Sequence, residues 1–510
     1  MQVDPRTPVL VGVGQFTERL DDPDYQGISA VELATRATQA ALADTGASAD
    51  DVAAAIEVFV GLRQFEICTP FADPPLGASD NYLRSVARRI GADPARAVLE
   101  PIGGNGPQKV MTEFAGAIAA GDIEVALIVG SEPGSTAKYF ADRDHKPDFT
   151  EHVGGQLEDR GYGFEQYMSE YTAGHGLTGA PVQYGLLDNA RRARLGLGVA
   201  DYRREMAELF APFSKVAAKN PFSSSPVERS VDEIVTVTDE NRMICDPYPR
   251  LLVARDTVNQ GAAALVMSVA AATRLGVPEE KWVYLRGHAD QTEQDLLDRT
   301  DVSISISAKQ AVAEALRVAG IGIDDVSTFD LYSCFPFPVF AVCDEFGLTP
   351  DDPRGLTLTG GLPYFGGPGN SYSLHGIAET VAAMRDKPGA YGLVGANGGV
   401  MSKYSVGVYS TEPGDWAPDR SKELQAQIAA QPKVAVTRNA EGRGTIETYS
   451  VRYDWPETTG VIIGRLDADQ SRFMALTTDA DLMALMTEGD PLGAAIAVTN
   501  DGKTNTATLA

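Results

Sequence analysis

Two periodicities alternate along this chain, and they come in the same order twice. From Ala30 to Ala43 and from Ser307 to Val318, apolar residues recur at helical spacing. Each run is followed by a glycine, Gly46 or Gly320, placed to end a helix in the left-handed region. Each then meets Asp-Asp-Val and a strand-like run, Ala55 to Val60 and Thr328 to Tyr332. A gapless offset of 274 residues carries ALADTGASADDV at Ala41 onto ALRVAGIGIDDV at Ala315. The halves share a later pattern too. Gly103 to Pro107 precedes a helix over Gln108–Ala120, and Gly366 to Asn370 precedes one over Ile377–Arg385. Buried-strand patterns follow at Val125–Gly130 and Tyr391–Gly395. Strands alternating with helices predict a parallel or mixed sheet covered on both faces. Two such halves predict an α/β protein of five layers, α/β/α/β/α.

Two stretches break this rhythm. Between Pro133 and Pro249 the chain is polar and aromatic, with a basic helix-like patch at Arg191, Arg192 and Arg194, and reads as an insertion or lid. The first half closes on the apolar run Gly261–Met267. After Trp416 a short helix over Lys422–Ala430 leads into strand-like runs at Lys433–Thr437, Gly444–Tyr453, Thr459–Leu466, Arg472–Thr477 and Ala494–Thr499. Asn500-Asp501-Gly502 is a hairpin signal before Thr504–Leu509. Many short strands in so few residues predict a small antiparallel β-barrel, with Val461-Ile462-Ile463 in its core. The expected division is 1–274 with the insertion at about 133–249, then 275–415, then 416–510.

Charge and composition narrow the function. The 43 basic and 70 acidic residues give a net charge of −27, which excludes nucleic acid as a main partner and disfavours anionic membranes. No apolar run approaches the roughly 18 residues of a membrane span. The start, MQVDPRTPVLVGVGQF, lacks the basic and apolar blocks of a signal peptide, so a cytoplasmic protein is expected. The four cysteines form no CxxC pair and the five histidines no HxxxH pair, so no metal site is expected.

The segment Gly360–Gly376, GGLPYFGGPGNSYSLHG, lies between a strand-like run at Arg354–Thr359 and the second helix. Its frame of two glycines, four residues and Gly366-Gly367-Pro368 resembles the loop of thiolases that reads Gly-Gly, four residues, then Gly-His-Pro, with Gly367 in place of the His. VNQGAAALVMS at Val258–Ser268, and Asn241-Arg242-Met243-Ile244 with Pro247-Tyr248, are similar to the sterol-carrier-protein-type branch of that superfamily. The likeness covers about residues 6–412. With the extra C-terminal segment, the chain most closely resembles the thiolase-like proteins of type one. The resemblance implies a duplicated thiolase fold, acyl-CoA and lipid metabolism, and four catalytic stations. They fall at Gly104, where the family has a nucleophilic Cys; at Tyr332, in the oxyanion loop; at Gly367, for the His; and at Ala396, for the acid/base Cys. None carries the expected side chain, which implies no thiolysis and no Claisen condensation.

What remains are candidates. Tyr332, Cys334 and His375 could act in an acyltransferase or thioester hydrolase of altered mechanism, although Cys334 also reads as packing and His375 as a satisfied helix-face residue. Gly106, Gly366, Gly369, Asn370, Asn397 and Gly398 are the ligand-binding candidates, with Asn370 also read as a helix N-cap. The implied ligand is CoA, an acyl-CoA or an acyl-carrier thioester, with no cofactor. Its phosphates would need basic residues, for which Arg191–Arg194 or Lys215–Lys219 are available. A scaffold subunit with a protein partner is the third reading. Thiolases usually dimerise through the strand that here reads Ala97–Pro101. Pro101 argues against that pairing and favours a monomer or weak dimer.

Overall fold

The computed structural model describes residues 3–163, 169–453 and 457–510. The first half runs β1 (Pro8–Thr17), α1 (Ala30–Asp44), α2 (Ala49–Ala54), β2 (Val58–Leu62), α3 (Tyr82–Arg89), β3 (Arg96–Glu100), α4 (Gly106–Ala120) and β4 (Val125–Pro133). The insertion follows as α5 (Gly134–Phe140), β5 (Glu158–Asp159), α6 (Glu170–Gly174), α7 (Ala180–Leu195), α8 (Val199–Ala217), α9 (Val231–Val235), β6 (Met243–Cys245) and β7 (Tyr248–Pro249). β8 (Asn259–Ser268) and α10 (Val269–Arg274) end the first half. The second half holds β9 (Val283–Thr292), α11 (Ile306–Ala319), β10 (Val326–Leu331), α12 (Pro336–Phe346), α13 (Tyr372–Asp386), β11 (Tyr391–Gly398) and β12 (Lys403–Ser410). The remainder is α14 (Ser421–Ala429), β13 (Gly442–Arg452), β14 (Thr459–Leu466), β15 (Arg472–Thr477), α15 (Ala480–Glu488), β16 (Ala495–Asn500) and β17 (Asn505–Leu509).

The duplication seen in the sequence is physical. Ser29 caps α1 and Ser305 caps α11, each hydroxyl accepting the N–H three residues on. Gly46 and Gly320 leave the two helices at φ 72° and 73°. Both helices lie directly on their strands. A Cβ on Gly14 would fall 2.1 Å from the Ala37 carbonyl, and one on Gly287 2.0 Å from that of Ala315. Helix and sheet can approach so closely only where the strand has no side chain.

Strands β3, β2, β4, β8 and β1 continue through β9 into β12, β11 and β10 as one mixed sheet, the halves joining at Val9↔Tyr284 and Leu10↔Val283. Helices α1 and α3 cover one outer face and α11 the other. Between the two half-sheets lie α4 and α13, whose Val110, Met111, Phe114, Leu374, Ile377 and Val381 are buried against strands of both halves. This is the expected five-layer order.

At the far edge β5 pairs parallel to β3, and Arg160 and Ile102 extend the ladder through Leu99 and Tyr162. The outer edge of β3 is thus occupied by the chain's own insertion. Pro101 lies past the end of β3, so the argument that placed it inside the strand does not hold.

Three local expectations are corrected. Arg354–Thr359 is not a strand: the buried Asp330 carboxylate accepts the N–H groups of Leu358 and Thr359, both at 2.9 Å, and so takes donors a ladder would need. Lys433–Thr437 makes only one bridge, Val436↔Arg472. The C-terminal barrel closes in the order β13-β14-β15-β17-β16, but β15 and β17 run parallel, so it is not wholly antiparallel. Helix α15, which the strand pattern concealed, makes the crossover that parallel pairing requires and buries Leu482 and Met486. Along β14, Val461 and Ile463 pack toward the body of the molecule and Ile462 toward the barrel interior. Among the described residues no helix is long and apolar enough to cross a membrane.

Removing the Asp330 acceptor strands one buried and one part-buried N–H group. Asp330→Ala is expected to lose about 2–4 kcal/mol of unfolding free energy in urea titration, and Asp330→Asn, which keeps an acceptor oxygen, to lose less.

Candidate functional site

The starts of α4 and α13 meet at a cavity of about 440 Å³. The loop after β10 supplies Tyr332, Cys334 and Phe335; the end of β11 supplies Asn397 and Gly398; the insertion supplies Ala180 and Tyr184, and the segment between β7 and β8 supplies Val253. Gly103, Gly104, Gly367, Gly369 and Asn370 complete the floor. Most of this wall is apolar, with Lys403 and Asp256 contributing charge. Residues distant in sequence are joined here by one amide. Asn370 Oδ1 accepts the Gly103 N–H at 2.8 Å and its Nδ2 donates to the Arg63 carbonyl at 2.7 Å. It therefore does not cap its own helix, as the sequence pattern had implied. Ser371 holds that position, without a side-chain cap bond.

Tyr332 governs the shape of the floor. A Cβ on Gly104 would lie 2.1 Å from the Tyr332 hydroxyl oxygen and 2.7 Å from the Asn397 carbonyl. The phenol thus occupies the volume into which any side chain at position 104 would project. Its ring packs edge-on to Tyr372 at 5.3 Å. Burial, with the nearby Cys334, holds its pKa well above the usual phenol range, so it is a protonated donor.

The other candidates separate clearly. Cys334 lies on the wall, 3.8 Å from Asn397 Nδ2, and burial pushes its pKa up to about 12. At neutral pH the thiol therefore stays protonated. Asn397 is committed to the wall, its Nδ2 donating to Tyr184 Oη at 2.6 Å and its Oδ1 accepting the Met401 N–H at 3.2 Å. Ala396 is buried off the cavity. Gly106 and Gly366 also sit behind the wall, Gly106 over Leu62 and Gly366 against Gln260. His375 is one turn into α13, fully buried, with Nδ1 2.7 Å from Gln15 Oε1 and its ring edge-on to Phe365. Burial lowers its pKa to about 3, and it does not line the cavity.

Cys68 is a wall residue that the sequence reading did not single out. It follows the 3-10 turn Phe65–Ile67 in a loop without periodicity, so no pattern marks it. Tyr184 is also a wall residue, on the insertion helix α7, where a buried helix-face position carries no mark of a site. The basic patch expected to meet phosphates is engaged elsewhere. Arg191 pairs with Asp344 and Glu205, Arg192 with Asp490, and Arg194 with Asp344. Lys219, by contrast, is exposed and shares a surface cleft with Arg19 and Arg255. Val253, Ala254 and Asp256 line the cavity while Arg255 lines the cleft, so one short segment divides the two.

Duplicated sheet, central helix pair and convergent glycine-opened helix starts define a thiolase-fold protein. The chain belongs to the SCP2-thiolase-like proteins of type 1. It is 62% identical, over the full length of both chains and with a TM-score of 0.87, to a monomeric SCP2-thiolase-like protein type 1 from Mycobacterium smegmatis. Residues 423–503 match the additional C-terminal domain of thiolase-like protein type 1. Two more distant structures share the fold. The Ltp2-ChsH2(DUF35) aldolase is 19% identical, covering 80% of this chain and 99% of its own, with a TM-score of 0.57. The dimeric peroxisomal thiolase of Saccharomyces cerevisiae is 13% identical, covering 81% and 99%, also with a TM-score of 0.57. No curated protein matches the chain.

Gly104→Cys is expected to lose about 1–3 kcal/mol by overpacking against Tyr332 and the Asn397 carbonyl, and to cost less when made in a Tyr332→Ala background than in the native chain, as read by urea midpoints. Iodoacetamide at pH 7.5, followed by peptide mapping, is expected to label the half-buried Cys68 well before Cys334.

Proposed function

We propose that this protein binds an acyl thioester, in the form of CoA or an acyl-carrier conjugate, and does not carry out thiolysis or Claisen condensation. The observation that carries this reading is the Tyr332 phenol seated over Gly104. Thiolase chemistry needs a nucleophile at that place, and the phenol fills it. The His and acid/base Cys positions hold Gly367 and Ala396, and the two histidine and cysteine candidates nearest in sequence are set against catalysis by burial. The cavity is still suited to a ligand: apolar walls take an acyl chain, and the Tyr332 hydroxyl offers a hydrogen bond to a carbonyl. Beyond the segment Val253–Asp256, the cleft with Arg19, Lys219 and Arg255 offers cations for phosphates, although Asp21 and Asp22 share it.

Calorimetric titration with a series of acyl-CoAs and with CoA tests the proposal. Saturable binding of acyl-CoA is expected, together with a coupled thiolysis assay at the level of heat-treated protein. Turnover well above that control, or no binding across the series, would overturn it.

The same phenol supports a second reading, acyl transfer or hydrolysis by a mechanism in which Tyr332 polarises the thioester carbonyl. Tyr332→Phe keeps the packing and removes the donor, so thioester turnover that survives it would exclude that role.

The chain is also proposed to be monomeric, because β5 covers the β3 edge. Sedimentation is expected to give one species near 54.2 kDa; a stable dimer at micromolar concentration would refute this.

A further inference from the structure

A second cavity, of about 350 Å³, lies where the barrel and the insertion meet the second half of the body. Gly399 and Val400 line both this cavity and the larger one, so a single turn divides them. Arg299 is on the wall of the second cavity and is only 5% exposed. Its Nε donates to the Gln294 carbonyl and its Nη2 to that of Met401, while Nη1 is buried without an acceptor. Ser402, 8% exposed on the same wall, has a buried hydroxyl without a partner.

Four other buried arginines each meet a carboxylate: Arg63 meets Asp159, Arg191 meets Asp344, Arg192 meets Asp490, and Arg472 meets Glu447. The hydrogen bonds of Arg299 go to carbonyls alone; the buried Glu293 carboxylate lies near enough to favour its charge without bonding to it, so Nη1 keeps an open donor. Among the described residues, neither Arg299 nor Arg438, which reaches the cavity from the barrel side, has an ion-pair partner. The acidic groups nearby do not take the role. Asp298 is paired with Lys433, Glu293 accepts the N–H groups of Ser307 and Gln294, and Asp295 is exposed at the rim. Leu177, Leu296 and Val436 add apolar wall.

We propose that this seam cavity is a binding site for a small organic carboxylate with a short apolar body. The carboxylate would meet Arg299 Nη1, Ser402 Oγ and Arg438, and the body would lie against Leu177, Leu296 and Val436. The assignment does not depend on what occupies the larger cavity.

Hexanoate is a suitable probe, with hexan-1-ol and inorganic phosphate as the other arms, titrated calorimetrically into the full chain. Saturable hexanoate binding is expected, at least fivefold tighter than that of hexan-1-ol or phosphate. Ser402→Ala and Arg438→Gln are each expected to weaken it about fivefold or more. Arg438 is exposed, so its variant keeps the test valid even where Arg299→Gln fails to fold. Ala180→Phe, which obstructs the larger cavity, is expected to leave hexanoate binding unchanged. No saturable hexanoate binding, equal binding of hexan-1-ol or phosphate, full affinity in Arg438→Gln, or loss of affinity in Ala180→Phe would each overturn the proposal.

Discussion

The burial of α4 and α13 between two half-sheets is the constraint from which the rest of this structure follows. Each helix must present apolar residues on more than one side, and each must begin where both halves converge. Their N-termini are therefore forced to the same place. There, backbone groups need partners that water cannot supply, and Asn370 provides one by bridging Gly103 and Arg63. The cavity is what remains around that junction after packing. Its floor is glycine because two helix starts, a strand end and a loop approach each other at backbone distance.

Into that floor the chain places a phenol. Tyr332 leaves β10 at the point where the sheet delivers it opposite Gly104, and the two residues are complementary in volume: a large side chain on one loop, none on the other. Asn397, Tyr184 and Cys334 form a second cluster beside it, held by the Asn397 amide. Burial then sets the chemistry. It keeps Tyr332 and Cys334 protonated, so the cavity presents hydrogen-bond donors and apolar surface, and it holds His375 neutral behind the wall.

The barrel is bound to the body by buried polar contacts as well as apolar ones. Arg472 joins Glu447 within the barrel to the carbonyls of Leu297 and Arg299, and Thr448 donates to the Leu186 carbonyl in α7. Cys245 in β6 pairs with Arg452 in β13, so the insertion lends strands to the barrel sheet. The seam is thus a fixed interface, and its cavity is bounded by residues from all three parts of the chain.

Much of the architecture was legible in the sequence, because periodicity reports which face of an element is buried. The repeat from Ala41 onto Ala315, the helices around Gln108 and Ile377, and the strands of the C-terminal barrel all follow from local pattern. Arg354–Thr359 failed because its alternation is that of a strand while its donors belong to a carboxylate on another element. α15 failed because its helical pattern is short and lies among strands. The site was harder still. Gly104, Tyr332 and Gly367 could be marked by resemblance, but Cys68 and Arg299 sit in segments without periodicity, and Tyr184 lies on a helix marked only by its basic end. Sequence alone determined the order of elements and their buried faces, since those depend on neighbours a few residues away. Tertiary structure decided that Tyr332 fills the space over Gly104, that His375 is sealed away, and that Nη1 of Arg299 lacks an acceptor. Each of these depends on atoms brought together from chain positions tens to hundreds of residues apart.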